Sequence, residues 1–265
     1  ANFPSLVELC KNLRTSVDTT ISPQVNLDPG VIEHLKTPEE LYQKIDQLFK
    51  NNGHNNRILT YTNIAAIDYN KYIRNLRGLP AMFTHGETVV SNSAINLKNL
   101  ESQSWRQKSY NKFNYNSMYG RDDSIQVEQV LKIIHVDPHS REFLVALNSG
   151  GTEAFKVHHA TVENSNGAQL GIVMPTSSDV FKDAVKSLVR RKQWSAKFKL
   201  EEKIADLRQT DASTVYKALG STYDTAIVDL NDLGKCRDKH QLYRMLYVAV
   251  SRATTKVYFY GDFAS

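Results

Sequence analysis

The sequence has little cysteine, with only Cys10 and Cys236 among its 265 residues. Two cysteines this far apart form neither a disulfide framework nor the paired motif of a zinc site. His158 and His159 are adjacent, and neighbouring residues of a strand point to opposite faces, which favours structural or exposed roles over a shared metal ion. We therefore predict no metal site.

Long hydrophobic runs are also missing. No stretch approaches the roughly 18–20 apolar residues that a membrane-spanning helix requires. Residues 1–4 (ANFP) show neither the basic nor the apolar region of a signal peptide. We predict a cytoplasmic protein with no membrane partner. Because the sequence does not start with methionine, we also expect it to be a piece of a longer protein.

Neither sign of charge is in large excess. Lys and Arg total 33 against 28 Asp and Glu, so the net charge of +5 only weakly favours an anionic partner. Basic residues are densest between 182 and 199, where seven Lys or Arg stand with one acid, Asp183. Lys186 and Arg190 are candidates for contacts with a nucleic-acid backbone. The alternative is an ordinary solvated helix face.

Hydrophobic periodicity divides the chain into two kinds of sequence. Towards both ends, segments with helical spacing alternate with short buried strands, which predicts an α/β fold with a parallel sheet and helices on both faces. The middle has short β runs separated by turn residues, which predicts an inserted small all-β subdomain. The predicted domains are 1–84 and 177–265 for the two parts of the α/β domain, and 85–176 for the insert.

Individual elements are also predicted. Thr37 and Pro38 begin an amphipathic helix that runs to residue 50. The other predicted elements are strand 57–62, helix 64–77, strands 88–90, 126–136, 142–147 and 155–162, a helix from 177 or 178 toward 207, strands 212–216 and 225–230, helix 238–250 and strand 256–260. Within the insert, residues 105–121 mix aromatic and cationic side chains. They are predicted either to stack on nucleobases or to shield the insert's own core.

Arg252 follows an apolar helix and precedes a short strand, so its side chain is predicted to project from a rigid base. A guanidinium is planar, stays charged and donates several hydrogen bonds in a fixed fork, which suits phosphate oxygens. An arginine held in this way can stabilise charge that develops on a transferred phosphoryl group. For an isolated arginine here, a salt bridge or an interaction with the helix dipole is the alternative.

Several segments, in order, resemble parts of superfamily 1 helicases. Residues 247–253 (YVAVSRA), followed by an apolar strand, resemble motif VI; residues 213–224 (STVYKALGSTYD) resemble motif V; and residues 9–16 (LCKNLRTS) resemble the shorter motif IV. Residues 57–63, with the helix after them, resemble a segment of the phage enzyme Dda. Residues 86–90 (GETVV) resemble the opening of the SH3-like subdomain inserted in RecD and Dda enzymes.

The chain is thus similar to the C-terminal half of a superfamily 1 DNA helicase of the RecD and phage Dda type. This resemblance implies a RecA-like parallel sheet, an SH3-like insert, translocation on single-stranded DNA, and a bacterial cell or phage-infected host. It implies catalytic roles for Arg252 and Arg14. By the same resemblance, Gly220, Ser221 and Asp224 bind the nucleotide, and Thr62, Asn63, Thr214, Tyr216 and Lys217 bind DNA.

The sequence departs from the helicase pattern in two respects. The family form of motif V has His and Gln where this chain has Tyr216 and Leu219, and a leucine cannot replace an amide. There is also no Gly-x-x-x-x-Gly-Lys-Ser/Thr loop and no acidic Walker B strand. The resemblance therefore implies that ATP and Mg²⁺ are held mainly by a separate N-terminal RecA-like domain of the same protein, and that this chain alone is inactive.

Two alternatives remain open from the sequence. One is a nucleic-acid-binding module without hydrolysis, which predicts tight, salt-sensitive binding to single strands by this chain alone. The motor half instead predicts weak binding until its partner domain is present. The other alternative is half of a viral RNA helicase, which a preference for RNA would distinguish.

Overall fold

The computed structural model describes residues 3–51, 55–97 and 124–262. The chain forms two compact units, the first from Ala1–Leu79 with Thr210–Ser265 and the second from Pro80–Gln209. The aromatic and cationic segment at 105–121 lies outside the described residues, so its predicted roles stay predictions. None of the helices in the described part is long and apolar enough to cross a membrane.

The described elements, in chain order, are as follows. The first unit begins with α1 (Pro4–Thr19), β1 (Ile32–Leu35), α2 (Pro38–Phe49), β2 (Asn56–Thr60) and α3 (Asn63–Leu76). The second contains β3 (Thr88–Ser91), β4 (Ile95–Asn96), β5 (Ser124–Ile125), β6 (Val130–Val136), β7 (Arg141–Ala146), β8 (Thr152–Asn164), β9 (Gln169–Pro175), α4 (Ser178–Arg190), α5 (Trp194–Lys203) and β10 (Leu207–Gln209). The first unit is completed by β11 (Ala212–Thr214), β12 (Tyr223–Asp229), α6 (Leu230–Leu233), α7 (Lys239–Ser251) and β13 (Ala253–Tyr260).

The first unit is built on a five-stranded parallel sheet in the order β1-β13-β12-β2-β11. Successive side chains of a strand point to opposite faces. Val228 of β12 therefore lies in the core that α1 and α7 cover, whereas Ile227 lies in the core that α2 and α3 cover. The predicted α/β class, a parallel sheet with helices on both faces, is confirmed.

The start of α2 forms as the sequence predicts. The Thr37 hydroxyl accepts a hydrogen bond from the Glu40 N–H, and the Glu40 carboxylate accepts one from the Thr37 N–H, which completes a capping box. Leu41 and Ile45, one turn apart, are buried in the core between this helix and the sheet. The cap fixes where the helix begins, and the apolar spacing fixes which face is buried.

The second unit is built on an antiparallel sheet in the order β10-β3-β6-β8-β7, with β9 paired to β8. Leu188 of α4 and Leu200 of α5 pack with Phe143 and Val157 of this sheet, so both helices belong to this unit. This unit covers residues 80–209, which is more of the chain than the predicted insert of 85–176, and it contains helices as well as strands. An SH3-like fold for it stays a prediction.

The single helix predicted from 177 toward 207 is wrong. α4 ends at Arg190 because Lys192 takes a left-handed backbone conformation, with φ of +57°. The chain then begins α5 at Trp194, and residues 207–209 form β10 against β3. Helical spacing continues through both helices, so periodicity alone does not reveal the turn between them.

Candidate functional site

The predicted site residues of the first unit lie at two opposite edges of its sheet. All five strands are parallel, so their amino ends share one edge and their carboxyl ends share the other. Arg252 precedes β13 and Ser221 precedes β12, at the amino edge. Thr62 follows β2 and Thr214 ends β11, at the carboxyl edge. The candidate site therefore consists of two surfaces on one sheet.

Arg252 is held at the amino edge by the junction of α7 and β13. Its guanidinium donates to the Ser251 hydroxyl from Nε (3.4 Å) and Nη2 (3.2 Å), and to the Ser221 carbonyl from Nη1 (3.3 Å). The side chain is half-buried. A guanidinium has five N–H donors. The three bonds above leave two donors without a partner among the described residues, available to an incoming anion.

Helix α1 runs beside this arginine. Burial raises the pKa of the Cys10 thiol above its ordinary 9.0, and the positive charge of Arg252 opposes that rise. Arg14 lies one helical turn after Cys10, about 6 Å along the axis and on the same side of the helix. It is exposed. Cys10 thus lies near Arg252, and the catalytic role of Arg14, one turn further along the same side of α1, stays a prediction.

The segment between β11 and β12, residues 215–222, connects the two edges. It starts at the carboxyl end of β11, passes over one face of the sheet through the buried Val215 and Ala218, and reaches the amino end of β12. Gly220 in this segment has φ of +86°, a conformation that favours glycine, and is exposed. One continuous backbone segment therefore links the carboxyl edge to the amino edge.

Asp224, which is exposed, also lies at the amino edge. Its N–H donates to the Asn55 carbonyl at 2.7 Å, and its carboxylate accepts a bond from the Thr254 hydroxyl at 3.5 Å. Together with Gly220 and Ser221, it forms the rim of the amino edge next to Arg252. The three nucleotide-binding candidates are therefore adjacent to the catalytic candidate, and their binding role stays a prediction.

Arg57 is a further cation at the amino edge. Its guanidinium lies 4.6 Å from the centroid of the Tyr223 ring, and the Tyr223 N–H donates to the Arg252 carbonyl at 2.8 Å. The sequence shows Arg57 only as the first residue of a predicted strand. Its position over Tyr223 depends on the pairing of β2 with β12, which sequence spacing does not specify.

The carboxyl edge is organised by Asp232. Its carboxylate accepts the Tyr61 N–H (2.8 Å), the Thr62 N–H (2.7 Å) and the Thr62 hydroxyl (2.9 Å), and the Lys235 ammonium donates to it at 2.6 Å. Burial alone would raise the pKa of Asp232, but these bonds from Lys235, Thr62 and Tyr61 hold it below its ordinary 3.8. The Thr62 hydroxyl is thus engaged within the fold, while Asn63 beside it is exposed.

Thr214 and Tyr216 complete the carboxyl edge. Thr214 is buried, and its carbonyl accepts the N–H groups of Lys217 and Ala218. Tyr216 is exposed, and its hydroxyl accepts a hydrogen bond from the Gln241 amide of α7. The nearby Cys236, burial and Tyr216, in that order, raise the pKa of Tyr61.

The remaining DNA-binding candidates, Lys186 and Arg190, are exposed on α4. They belong to the second unit and not to the surfaces built on the parallel sheet. No group of three or more His, Cys, Asp or Glu suited to a metal ion occurs in the part of the chain that the structure describes. By contrast, the open donors of Arg252 and the exposed backbone at Gly220 fit an anionic nucleotide at the amino edge.

Comparison with known proteins gives one family match. Residues 210–260 match the model of the UvrD-like helicase C-terminal domain. This region begins at the boundary where the chain returns to the first unit, and it contains β11, the connecting segment, β12, α7 and β13. A search of curated proteins found no match.

Solved structures with some likeness include Pif1 helicases. Pif1 from Candida albicans has a TM-score of 0.40 and 13% identity, covering 99% of this chain and 54% of that one. Bacteroides Pif1 in complex with ADP-AlF3 and ssDNA has a TM-score of 0.30 and 13% identity, covering 99% and 50%. The chain spans about half the length of these proteins, and likenesses this weak carry no argument about its residues. What the comparisons establish is that residues 210–260 are similar to the C-terminal domain of UvrD-like helicases.

Proposed function

We propose that this chain is the C-terminal motor half of an ATP-dependent DNA helicase. Its amino edge completes an ATP site, and its carboxyl edge contacts single-stranded DNA. ATP and Mg²⁺ are held mainly by an N-terminal RecA-like domain of the same protein. The observation that carries the proposal is Arg252, a half-buried guanidinium fixed at the end of α7 with two open donors, in a segment that matches a helicase C-terminal domain.

Arg252 and Arg14 are the proposed catalytic residues at the amino edge. Arg252 is oriented by Ser251 and the Ser221 carbonyl, so its open N–H groups do not need to be ordered at the moment of reaction. Pre-oriented positive charge stabilises the negative charge that develops on the transferred phosphoryl group. Gly220, Ser221 and Asp224 form the rim that approaches the nucleotide.

The proposed DNA surface is the carboxyl edge, where Asn63, Tyr216 and Lys217 contact the strand and Thr62 and Thr214, whose side chains are engaged or buried in the fold, position them. Asp232 fixes the turn at Thr62, which leaves the exposed Asn63 to meet a phosphate or base. Tyr216 has an exposed ring for stacking on a base. Leu219 offers no amide, so coupling between the edges relies on the backbone of residues 215–222 instead of a side-chain bond.

The steady-state ATPase of a protein that contains both this chain and the proposed N-terminal domain tests the assignment. Arginine fingers contribute about 10³- to 10⁵-fold to the rate of phosphoryl transfer. Arg252→Ala should therefore reduce DNA-stimulated turnover by about 10³-fold. Arg244→Ala is the matched control, since Arg244 is exposed on the same helix two turns earlier, and it should turn over normally. Equal turnover by both variants would reject the motor assignment.

One observation favours a second function, nucleic-acid binding without hydrolysis. The cations between residues 182 and 199 lie on α4, α5 and the turn between them, in a unit separate from the parallel sheet. Tight binding of single strands by this chain, with no ATPase from the complete protein, would favour that function. Stronger binding of RNA than of DNA would instead favour an RNA helicase half.

A further inference from the structure

The turn between α4 and α5 gathers cations that the fold of the second unit does not use. Arg190 and Lys192 are exposed, whereas Arg191 is paired with Glu153 at 2.7 Å and Lys197 with Glu201 at 2.5 Å. Together with Lys186, whose contact with Asp183 is long (3.7 Å) and solvent-exposed, Arg190 and Lys192 form a positive surface. We call residues 186–199 the basic hairpin.

Two large aromatic rings are exposed on the same hairpin. Trp194 and Phe198 of α5 are 48% and 60% exposed, and their spacing of four residues places them on one side of the helix. The opposite side of α5, with Ala196 and Leu200, supplies the contacts to the sheet. The two rings are therefore not needed to fill the core, and they stand among cations.

The backbone at Lys192 adds an independent observation. α4 ends in a Schellman motif, in which the N–H of Lys192 donates to the Val189 carbonyl and that of Gln193 to the Leu188 carbonyl, both at 2.9 Å. The residue at the left-handed position of this motif is usually glycine, because a side chain there is strained. Lys192 occupies it with φ of +57°. A charged side chain thus stands where the backbone alone favours glycine.

We infer that the basic hairpin is a second binding surface for single-stranded nucleic acid, which acts without ATP. Lys186, Arg190 and Lys192 contact phosphates, and Trp194 and Phe198 stack on bases. Cations combined with exposed aromatic rings match a single strand, which offers both negative phosphates and unpaired bases. An acidic peptide offers only the charge. The inference shares Lys186 and Arg190 with the proposed function but does not depend on ATP hydrolysis.

Fluorescence of Trp194 tests the stacking. The chain has two tryptophans, Trp105 and Trp194, so Trp105→Phe leaves Trp194 as the only reporter. An oligothymidylate of about 12 nucleotides, within the range that single-strand sites cover, should quench this emission in the absence of ATP. Poly-glutamate should not. Absence of quenching by the oligonucleotide would overturn the inference, and so would equal quenching by poly-glutamate, which would indicate an acidic protein partner.

Variants separate binding from stability. Lys192→Gly removes the strain and the charge together, so it should leave thermal stability unchanged or raised while it lowers affinity about threefold or more and reduces the salt slope by about 0.7. Phe198→Leu should lower affinity by about tenfold. Lys156→Ala, at an exposed lysine on β8, is the matched control and should bind normally. Wild-type affinity in both hairpin variants would overturn the inference.

The outcome is separable from that of the motor proposal. The hairpin is tested by binding without ATP in variants of the second unit, and the motor by ATPase in variants of the first. Normal binding by the hairpin variants, together with loss of ATPase in Arg252→Ala, would overturn only the second surface. The reverse result would reject only the motor.

Discussion

Asp232 holds the backbone of the turn after β2. It is almost fully buried and accepts two backbone N–H groups, from Tyr61 and Thr62. Buried donors that lose their acceptor retain the full cost of desolvation, about 1–3 kcal/mol. Asp232→Ala should therefore lower the free energy of unfolding by about 2 kcal/mol, measured by urea denaturation. Asp68→Ala, at an exposed position on α3, should change it little; equal effects would contradict this role of Asp232.

The same carboxylate predicts a pH dependence. The pKa of Asp232 in the folded protein lies below its ordinary 3.8, because hydrogen bonds outweigh the effect of burial. The charged form is thus favoured by folding, and its contribution to stability is present above about pH 4 and is lost as the pH falls through the folded value. The stability difference between wild type and Asp232→Asn should be largest near neutral pH and shrink in acid. A difference that grows on acidification would contradict the assigned direction.

Individual residues differ in how far the sequence predicts them. Arg252 is predicted because an apolar helix, one arginine and a strand follow each other within a few residues, and the structure has α7 and β13 in that order. Asp232, Arg57 and Cys10 are not predicted as site residues. Their partners lie on other strands or helices, and the pairing that brings them together is tertiary. Tyr216 is predicted as a contact, but its bond to Gln241 is not.

Among the elements, the sequence predicts best those helix ends whose capping residues lie within a few positions of one another. Thr37, Pro38 and Glu40 specify the start of α2, and the structure has the complete capping box. The prediction of a single helix over 177–207 fails because the residue at the break is Lys192, whereas a glycine there would have indicated the turn. α1 is not predicted as a helix, although Leu6, Leu9 and Leu13 are spaced to bury one face against α7.

The cap of α2 provides a prediction at this scale. Thr37→Ala removes the hydroxyl that accepts the Glu40 N–H and should lower the free energy of unfolding by about 1 kcal/mol. Gln43→Ala, at an exposed position on the same helix, is the control and should be close to neutral. The measurement is again urea denaturation, and an unchanged midpoint for Thr37→Ala would show that the cap does not limit this helix.

At the scale of the molecule, the sequence separates the two kinds of unit but not their extent. The alternation of helices and strands predicts the parallel sheet, and the change to short β runs predicts the interruption. The helices α4 and α5 follow the β-rich region and look like a return to the first domain, yet Leu188 and Leu200 are buried against the antiparallel sheet. Amphipathic spacing shows that a face is buried and does not show against which sheet.

The parallel sheet has two opposite edges, and the proposed motor assigns one ligand to each. Its amino edge carries Arg252 and its carboxyl edge carries the turn at Thr62, while residues 215–222 connect them. In the proposed motor, nucleotide contacts at the first edge and DNA contacts at the second are coupled through this segment. The RecD and Dda type of helicase, and each predicted contact, remain part of that proposal.

The most direct test of the central claim is single-turnover hydrolysis of ATP by a protein that contains both proposed motor domains, with ATP affinity measured separately. If Arg252 acts on the developing charge, Arg252→Ala should slow the hydrolysis step by about 10³-fold or more and change ATP affinity far less. Hydrolysis at the wild-type rate by Arg252→Ala would contradict the account.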